Sequence, residues 1–587
     1  MKPAKRIIAL LLALALAVPL AACGGNEDDT AYFRFGFGEE PDSLNPYLGT
    51  HTISYYVNNS IYDSLFARGA DYELSGSLCA AYETALNDDG SCVYTMTIRD
   101  GVKWQDGEAL TAGDVAFTLY TTYYWSASHS YDLLFLDPDS IEVANDTTLS
   151  FTVEADYPYI LEYLAYCPIL PEHVWKQCFT DDAGNWLSPD DETVYDKLQL
   201  DLTAENMTGS GPFKWHGADE TACTLVRNDG YWNGKSGIDA LVYVYHVSEP
   251  LTALQNGELD ACEYMTASAL DALKSDGRFD HSLSMIYGFT GISFNLNSPD
   301  AGSTANQALQ VKEVRQAIDY CAERGRILEL AYGGLGAAGG SPLSANSKYY
   351  ENLAADYANY RDSDAEDNVE RAVALLEGAG FTFNASGAAY SDADREAGAP
   401  RYNANGEGLV FRLWYDSNNT EDQDACTMIK TECALAGIEL GVQGYEQTTL
   451  WDSTAALDYD MYVVEWGAYV DPSFALSLFI WEDGYWAYAE NGYNETGYAS
   501  GEYDALYNEQ LYAKDEAERR SLVKRMQEMV YEDCPMAVLG YFYYIQPVNS
   551  AKWQGYSQLP RGSEYGLLWD YTSIYYQLMH LQPVAGD

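Results

Sequence analysis

Residues 92–98 read Cys-Val-Tyr-Thr-Met-Thr-Ile, with apolar and polar positions alternating as in a strand that buries one face. The run leads into Asp100-Gly101 and Asp106-Gly107, two tight-turn pairs, and then into Thr111-Ala112-Gly113-Asp114. That last spacing is a capping box and predicts a helix through Tyr120. The second half of the chain changes period. Helical spacing appears over Val314–Leu330, Asn368–Glu377 and Asp424–Ala436, the last two closed by Gly378-Ala379-Gly380 and Gly437, where a left-handed cap is expected. Between them lie short apolar runs, Val410–Tyr415, Ile438–Val442 and Asp460–Trp466. Strand, helix, strand at this spacing predicts a parallel α/β sheet. Helices over Glu502–Ala513 and Glu516–Glu532 lead to a last aromatic strand near Val538–Tyr544. The pattern alone gives a β-rich N-terminal lobe followed by an α/β lobe.

The first residues follow another rule. Lys2, Lys5 and Arg6 precede an apolar run from Ile7 to Ala22. A bilayer-spanning helix needs about 20 apolar residues, so the run is short for an anchor, and its basic start and small-residue end describe an export signal. Leu20-Ala21-Ala22-Cys23-Gly24 resembles the bacterial lipobox, in which the cysteine becomes the lipidated first residue of the mature chain. The plainer alternative is an ordinary signal peptide with a cysteine just after the cut. On the lipobox reading, residues 1–22 are a lipoprotein signal peptide and 23–30 a polar tether. The protein then sits outside the cytoplasmic membrane, held by acyl chains on Cys23.

Charge narrows the partners. Asp and Glu outnumber Lys and Arg by 89 to 32, a net charge of −57. Polyanion binding depends on neutralising phosphates with basic side chains, which excludes nucleic acid and docking on anionic lipid through charge alone. The excess leaves a soluble protein with a bias toward neutral or cationic ligands. At roughly 150 residues per domain, 587 residues suggest three or four lobes. Of the eleven cysteines, none form a CxxC pair; apart from Cys23, Cys79 and Cys92, flanking a turn, are best placed for a bridge, and most of the ten read as buried thiols.

Catalytic machinery is not legible. The seven His residues are scattered, so no close zinc spacing exists, and neither a GxSxG elbow nor a phosphate loop is present. The glycine-rich stretch Gly333-Gly334-Leu335-Gly336 follows a helix rather than a strand, which removes a dinucleotide reading. With 89 carboxylates, any chosen pair of glycosidase type is uninformative. The expectation is a protein that is not an enzyme and needs no cofactor.

Several segments, in order, carry a resemblance. Glu40-Pro41-Asp42-Ser43-Leu44-Asn45-Pro46 is followed by Ile61-Tyr62-Asp63-Ser64-Leu65. Tyr94 to Gly107, continuing through Leu110-Thr111-Ala112-Gly113-Asp114-Val115, is the longest match. Then come Gly209-Ser210-Gly211-Pro212-Phe213, Asn228-Asp229-Gly230-Tyr231-Trp232, Ala253 to Asp260, Phe294-Asn295, Val314-Arg315-Gln316-Ala317-Ile318, Trp466-Gly467 with Asp471-Pro472, and Tyr503-Asp504-Ala505-Leu506. Collinear over about residues 33 to 545, this run resembles family 5 of the extracytoplasmic solute-binding proteins of ABC importers, the peptide- and nickel-binding group.

The resemblance implies an α/β fold of the periplasmic-binding-protein-like type II class, two hinged α/β lobes with an additional β-rich domain. Lobe I would comprise residues 31–60, 206–288 and 536–587, the extra domain 61–205, and lobe II 289–535. It implies a monomeric receptor that binds an oligopeptide or dipeptide between its lobes and delivers it to an ABC transporter permease. The alternatives are an oligosaccharide, a metal chelate or a cationic solute in the same receptor class, or, from another class, a secreted carbohydrate-active enzyme. Candidate ligand contacts are Glu40 in the first matching segment, Tyr287 on the crossing strand, Trp414 at a strand end, and Trp466, Tyr469 and Asp471. Oligopeptide-binding relatives carry Trp, two small residues and then an Asp that pairs with the ligand's α-amino group. Here Tyr469 stands three after Trp466, and Asp471 is the candidate substitute.

Overall fold

The computed structural model describes residues 31–585 apart from 128, 130–132, 134, 155–159, 286, 354–366, 468–470, 482–492, 562 and 564–565. Cys23 and Tyr469 lie outside the described residues. The chain enters on β1 (Tyr32–Gly36), then builds a separate antiparallel sheet from β2 (Cys79–Leu86), β3 (Cys92–Ile98), β4 (Leu136–Asn145) and β5 (Thr148–Val153), in the order β2-β3-β5-β4. β3 buries Cys92, Tyr94, Met96 and Ile98, the alternation visible in its sequence. Helix α1 (Ala112–Trp125) packs on this sheet. Its start is held by the capping box, with the Gly113 N–H donating to Thr111 Oγ1 at 3.1 Å and the Thr111 N–H to Asp114 Oδ2 at 2.8 Å. The Cys79–Cys92 bridge suggested by the turn does not form. Cys79 faces Ile98 and Cys92 faces Leu86, at opposite ends of the hairpin, beyond disulfide reach.

The chain then returns to the main sheet with β6 (Phe213–Ala218), β7 (Ala222–Arg227), β8 (Ala240–Val244), β9 (Ala261–Cys262) and β10 (Asp280–Met285). With β1 they form the sheet of one lobe, here lobe I, in which β1 lies parallel to both β8 and β9. Lobe II carries β11 (Phe289–Phe294), β12 (Val410–Asp416), β13 (Glu439–Tyr445) and β14 (Met461–Trp466). A final long strand, β15 (Met536–Val548), pairs with β11 through its first residues and with β10 through its last. One strand therefore belongs to both lobes, and the order runs β13-β12-β14-β11-β15-β9-β1-β8-β7-β6. Lobe II is not purely parallel as the spacing predicts. β12 is parallel to β13 and β14, whereas β11 and β15 run antiparallel because they carry the chain in from lobe I and back to it.

Helices α2 (Lys312–Cys321), α3 (Arg324–Leu330), α4 (Asn368–Gly378) and α5 (Thr420–Ala436) belong to lobe II; α2, α4 and α5 bury Ile318, Leu376 and Ile429 against Phe411 and Leu413 of β12. α5 ends at Gly437 with φ 86°, the expected left-handed cap. The single helix expected over Val314–Leu330 is broken at Ala322-Glu323. The break turns Arg324 inward, where it pairs with Asp319 and donates from Nε to the Val538 carbonyl at 2.6 Å. Helices α6 (Gly501–Leu511) and α7 (Glu516–Asp533) pack on each other before β15.

Candidate functional site

The two lobes present strand ends to each other. The parallel strands β1 and β9 of lobe I lead out to Glu39 and Glu263. The parallel strands β12 and β14 of lobe II end with Asp416 and, one residue from the end, Glu465. Ligands of α/β sheets bind outside the carboxyl ends of parallel strands, where the chain turns away and leaves a crevice. The two ends lie near one another: the Glu465 charge acts on Glu263, and that of Asp416 on Tyr264. Farther along the seam the His51 ring of lobe I meets the Trp451 ring of lobe II edge-on, with centroids 6.2 Å apart.

The seam is deep and wet. Glu263 is half-buried, Tyr264 keeps 52% of its surface exposed, and the Glu465 side chain is exposed. Burial pushes the Glu263 carboxyl up to about 8, and the nearby charges of Glu39, Asp570 and Glu465 push the same way. Glu465 is pushed up to about 7 by burial and by Asp422. Asp422, in the first turn of α5, is itself raised to about 7 by burial, although the Tyr332 hydroxyl donates to its Oδ1 at 2.5 Å. Glu39 is raised by burial and by Asp42, against His51, which lowers it. No lysine or arginine figures among the charges acting on these four carboxyls.

The residues singled out from sequence fall unevenly around this seam. Glu40 points to the lobe I surface, where it pairs with His246 at 3.4 Å and both side chains are more than half exposed; its neighbour Glu39 is also half exposed and stands 4.0 Å from His51 Nδ1. Tyr287 lies between β10 and β11, where the chain crosses, and stacks on Tyr72 with centroids 6.3 Å apart; Tyr72 in turn donates to Asp570 Oδ2 at 2.7 Å. Gly288 follows it because a Cβ there would meet the Trp466 carbonyl oxygen at 1.9 Å. Trp414 is 8% exposed and packs with Leu450, Tyr459 and Tyr462. With Arg412, Gln443 and Asp458 it lines a cavity of about 560 Å³, two residues before the end of β12. Trp466 is wedged between Phe474 and Tyr493, at 6.2 and 6.0 Å.

Asp471 requires a correction. Its Oδ2 accepts from Arg519 Nη1 at 2.8 Å and its Oδ1 from Arg519 Nη2 at 3.2 Å, while Oδ1 also accepts from the Ser473 N–H at 2.9 Å. Both side chains are closed off from solvent, at 2% and 0% exposure. A carboxylate committed in this way inside lobe II has nothing left for a ligand's ammonium. The carboxylates that do reach the seam, Glu39, Glu263 and Glu465, were missed. Only their position near the ends of parallel strands marks them; the spacing predicts a parallel sheet that contains the strand of Glu465, whereas nothing in the sequence shows that β1 and β9 are parallel.

The family model described as bacterial extracellular solute-binding proteins, family 5, middle region, matches residues 77–486. The chain belongs to this family. Protein XP55 of Streptomyces lividans is 26% identical over 558 residues, covering 92% of this chain and 91% of its own. The oligopeptide-binding protein OppA of Bacillus subtilis is 23% identical over 583 residues, covering 92% and 95%. The fold matches the solved structure of the Bacillus subtilis oligopeptide-binding protein AppA in complex with a nonapeptide, with a TM-score of 0.73, 19% identity, and 95% and 99% of the two chains covered. As a family 5 solute-binding protein, the chain acts outside the cytoplasm.

Proposed function

We propose that this solute-binding protein is a lipid-anchored receptor that takes peptides into the crevice between its lobes and hands them to an ABC transporter permease. The observation that carries the reading is the wet seam between two lobes joined by β11 and β15, lined from both sides by strand ends. Peptide as the ligand is supported by the OppA and AppA relatives. An extended peptide can be held through its main chain, as a strand is held in a sheet, while its side chains sit in wet pockets. Closure excludes water, strengthens those hydrogen bonds, and creates the form a permease distinguishes from the empty one. Since Asp471 is committed to Arg519, the ligand's α-ammonium falls to the unpaired carboxylates of the seam.

A second reading, a cationic solute other than a peptide, is favoured by one observation: Glu263 and Glu465 face no protein cation. Native mass spectrometry of the chain purified from its producing cell, with the co-purifying small molecules then released under denaturing conditions, separates the two. A ladder of short peptides is expected; a single sugar, chelate or small cationic metabolite would overturn the peptide reading. Anchoring is tested by Cys23→Ser, which is expected to move the protein from the membrane fraction to the soluble one. Continued membrane retention of that variant overturns the lipid anchor.

A further inference from the structure

The outer flank of lobe II holds a space that the chain itself does not fill. Along β12, Phe411, Leu413 and Tyr415 enter the lobe's core, which leaves Arg412 and Trp414 on the opposite face. The neighbouring β13, the last strand of the sheet on this side, sets Gly441 beside Arg412 and Gln443 beside Trp414. A helix over Gln447–Ala455 packs on this face and buries Leu450 against Trp414, Tyr459 and Tyr462. Next to it, Arg412, Trp414, Gln443, Tyr445, Ser453 and Asp458 surround the cavity of about 560 Å³. That volume suits a small organic solute, and none of Glu39, Glu263 or Glu465 lines it.

Two independent features point to a ligand there. The first is Gly441, which also lines the cavity. Gly444 on the same strand is required by the chain, because a Cβ there would meet the Tyr415 ring at 2.9 Å. At Gly441 a Cβ would meet nothing closer than the Phe411 carbonyl oxygen, at 3.7 Å, and the backbone is not left-handed. Glycine weakens a strand, and one that neither space nor backbone demands marks a place where something else approaches.

The second feature is the chemistry of the lining. Its two charges are committed to each other and to their neighbours: Arg412 donates from Nη1 to Asp458 Oδ1 at 2.9 Å, from Nε to Asp460 Oδ2 at 3.1 Å and from Nη2 to Thr304 Oγ1 at 3.0 Å. The Gln443 amide and the Tyr445 and Ser453 hydroxyls, by contrast, have no hydrogen-bond partner among the described residues. The aromatic wall is Trp414 with Tyr445 edge-on to it, centroids 4.9 Å apart. In a chain with 89 acidic side chains, this cavity offers no free cation and no unpaired carboxylate, only uncharged donors and acceptors beside apolar rings. Hydroxyl groups match such a lining because each both donates and accepts, and the C–H faces of a sugar ring pack against aromatic carbon.

We propose that this cavity is a second ligand site, separate from the crevice between the lobes, and that it takes a neutral monosaccharide or disaccharide. Gln443, Tyr445 and Ser453 receive the sugar's hydroxyls, and the space left by Gly441 admits its ring.

The test is isothermal titration calorimetry of the full-length chain carrying Cys23→Ser, with glucose, galactose, mannose, N-acetylglucosamine, maltose and cellobiose as neutral probes. Glucosamine and glucuronic acid serve as their charged counterparts. At least one neutral sugar is expected to bind, and at least about tenfold tighter than either charged one. Gly441→Val fills the cavity without a clash and is expected to abolish that binding, while Gln443→Ala weakens it by about tenfold. Both variants are expected to keep the melting midpoint, since Gly441 has room for a Cβ and Gln443 is exposed. Sugar binding that survives both variants places the sugar elsewhere and overturns the inference, as does equal affinity for the charged counterparts. No binding of any neutral probe at about 10 mM overturns it outright and leaves the peptide reading of the crevice untouched.

Discussion

Two sets of carboxylates can be compared within one chain. Inside lobe II, Asp471 is gripped by both terminal nitrogens of Arg519, which also donates to Gln510 at 3.0 Å, to the Tyr349 hydroxyl at 3.1 Å and to Ser473 Oγ at 3.1 Å. In the seam between the lobes, Glu263 and Glu465 have neighbours of their own sign and no donor. The chemical group is the same; the difference is whether the fold completes it. Within a lobe, a complete network ties α6, α7 and the segment after β14 into a unit that is indifferent to what occupies the crevice. Between the lobes, on the receptor reading proposed above, an incomplete one would let a solute set the relative position of the two lobes.

The largest effect that could break this contrast is on stability. Asp471→Asn leaves the Arg519 guanidinium buried with its counter-charge gone, and is expected to destabilise the fold by about 3–5 kcal/mol in denaturant titration. Glu263→Gln, which removes a charge with no partner, is expected to cost nothing or to stabilise. If Asp471→Asn instead left stability unchanged and abolished ligand binding, Asp471 would be the ammonium anchor after all, and the contrast between the two sets would collapse.

The same contrast explains what could be read from sequence. The segments that carry the family resemblance turn out to hold the frame. Asp63 accepts from the Tyr231 hydroxyl at 2.7 Å and from Trp232 Nε1 at 2.9 Å, while its N–H donates to Ser210 Oγ at 3.1 Å, so three separate matching segments meet on one carboxylate. Gln105 donates to the Phe213 carbonyl at 2.7 Å and accepts from the Gly209 N–H at 3.2 Å, joining the longest match to the returning chain. Arg315 donates to the carbonyls of Cys534, Leu309 and Asp533 at 2.8, 2.7 and 2.6 Å and so fixes the turn from α7 into β15. Class and architecture were legible for that reason. The seam residues were not, because their role depends on lying at the ends of parallel strands and on lacking a partner. Both are properties of the folded arrangement, and Glu263 looks like any of 89 acidic residues until that arrangement is known.

A smaller effect sharpens the comparison through pH. Glu263 and Glu465 hold their protons up to about 8 and about 7 in the folded protein, against an ordinary value of 4.5 in the unfolded chain. Between these limits the native state binds more protons, so the empty protein loses stability as pH rises. The groups facing them are Glu39, Asp570 and Tyr264 around Glu263, and Asp422 and Tyr332 around Glu465; none supplies a positive charge that would reverse the sign. Thermal unfolding of the empty protein is therefore expected at higher temperature near about pH 6 than near about pH 8.5, and the Glu263→Gln/Glu465→Gln double variant should flatten the difference. A cationic ligand should show the opposite trend, binding more tightly and releasing protons as the pH rises. A melting midpoint that climbs toward pH 8.5 in the parent protein would place both carboxyls among ordinary solvated acids.

The smallest effect separates charge from shape. Tyr264 stands beside Glu263 in sequence and faces the seam with half its surface, held on one side by Tyr544. If its ring face helps to hold a cation, Tyr264→Ala is expected to weaken a cationic ligand by about 0.5–2 kcal/mol, while Tyr264→Phe, which keeps the face and drops the hydroxyl, restores most of that loss. Tri-alanine and the melting midpoint should change little in either variant, since so exposed a ring contributes little packing. Should Tyr264→Ala weaken neutral and cationic ligands equally, the ring is a wall of the crevice and not a cation acceptor. Discrimination by the seam would then rest on Glu263 and Glu465 alone, and their glutamine variants would have to account for all of it.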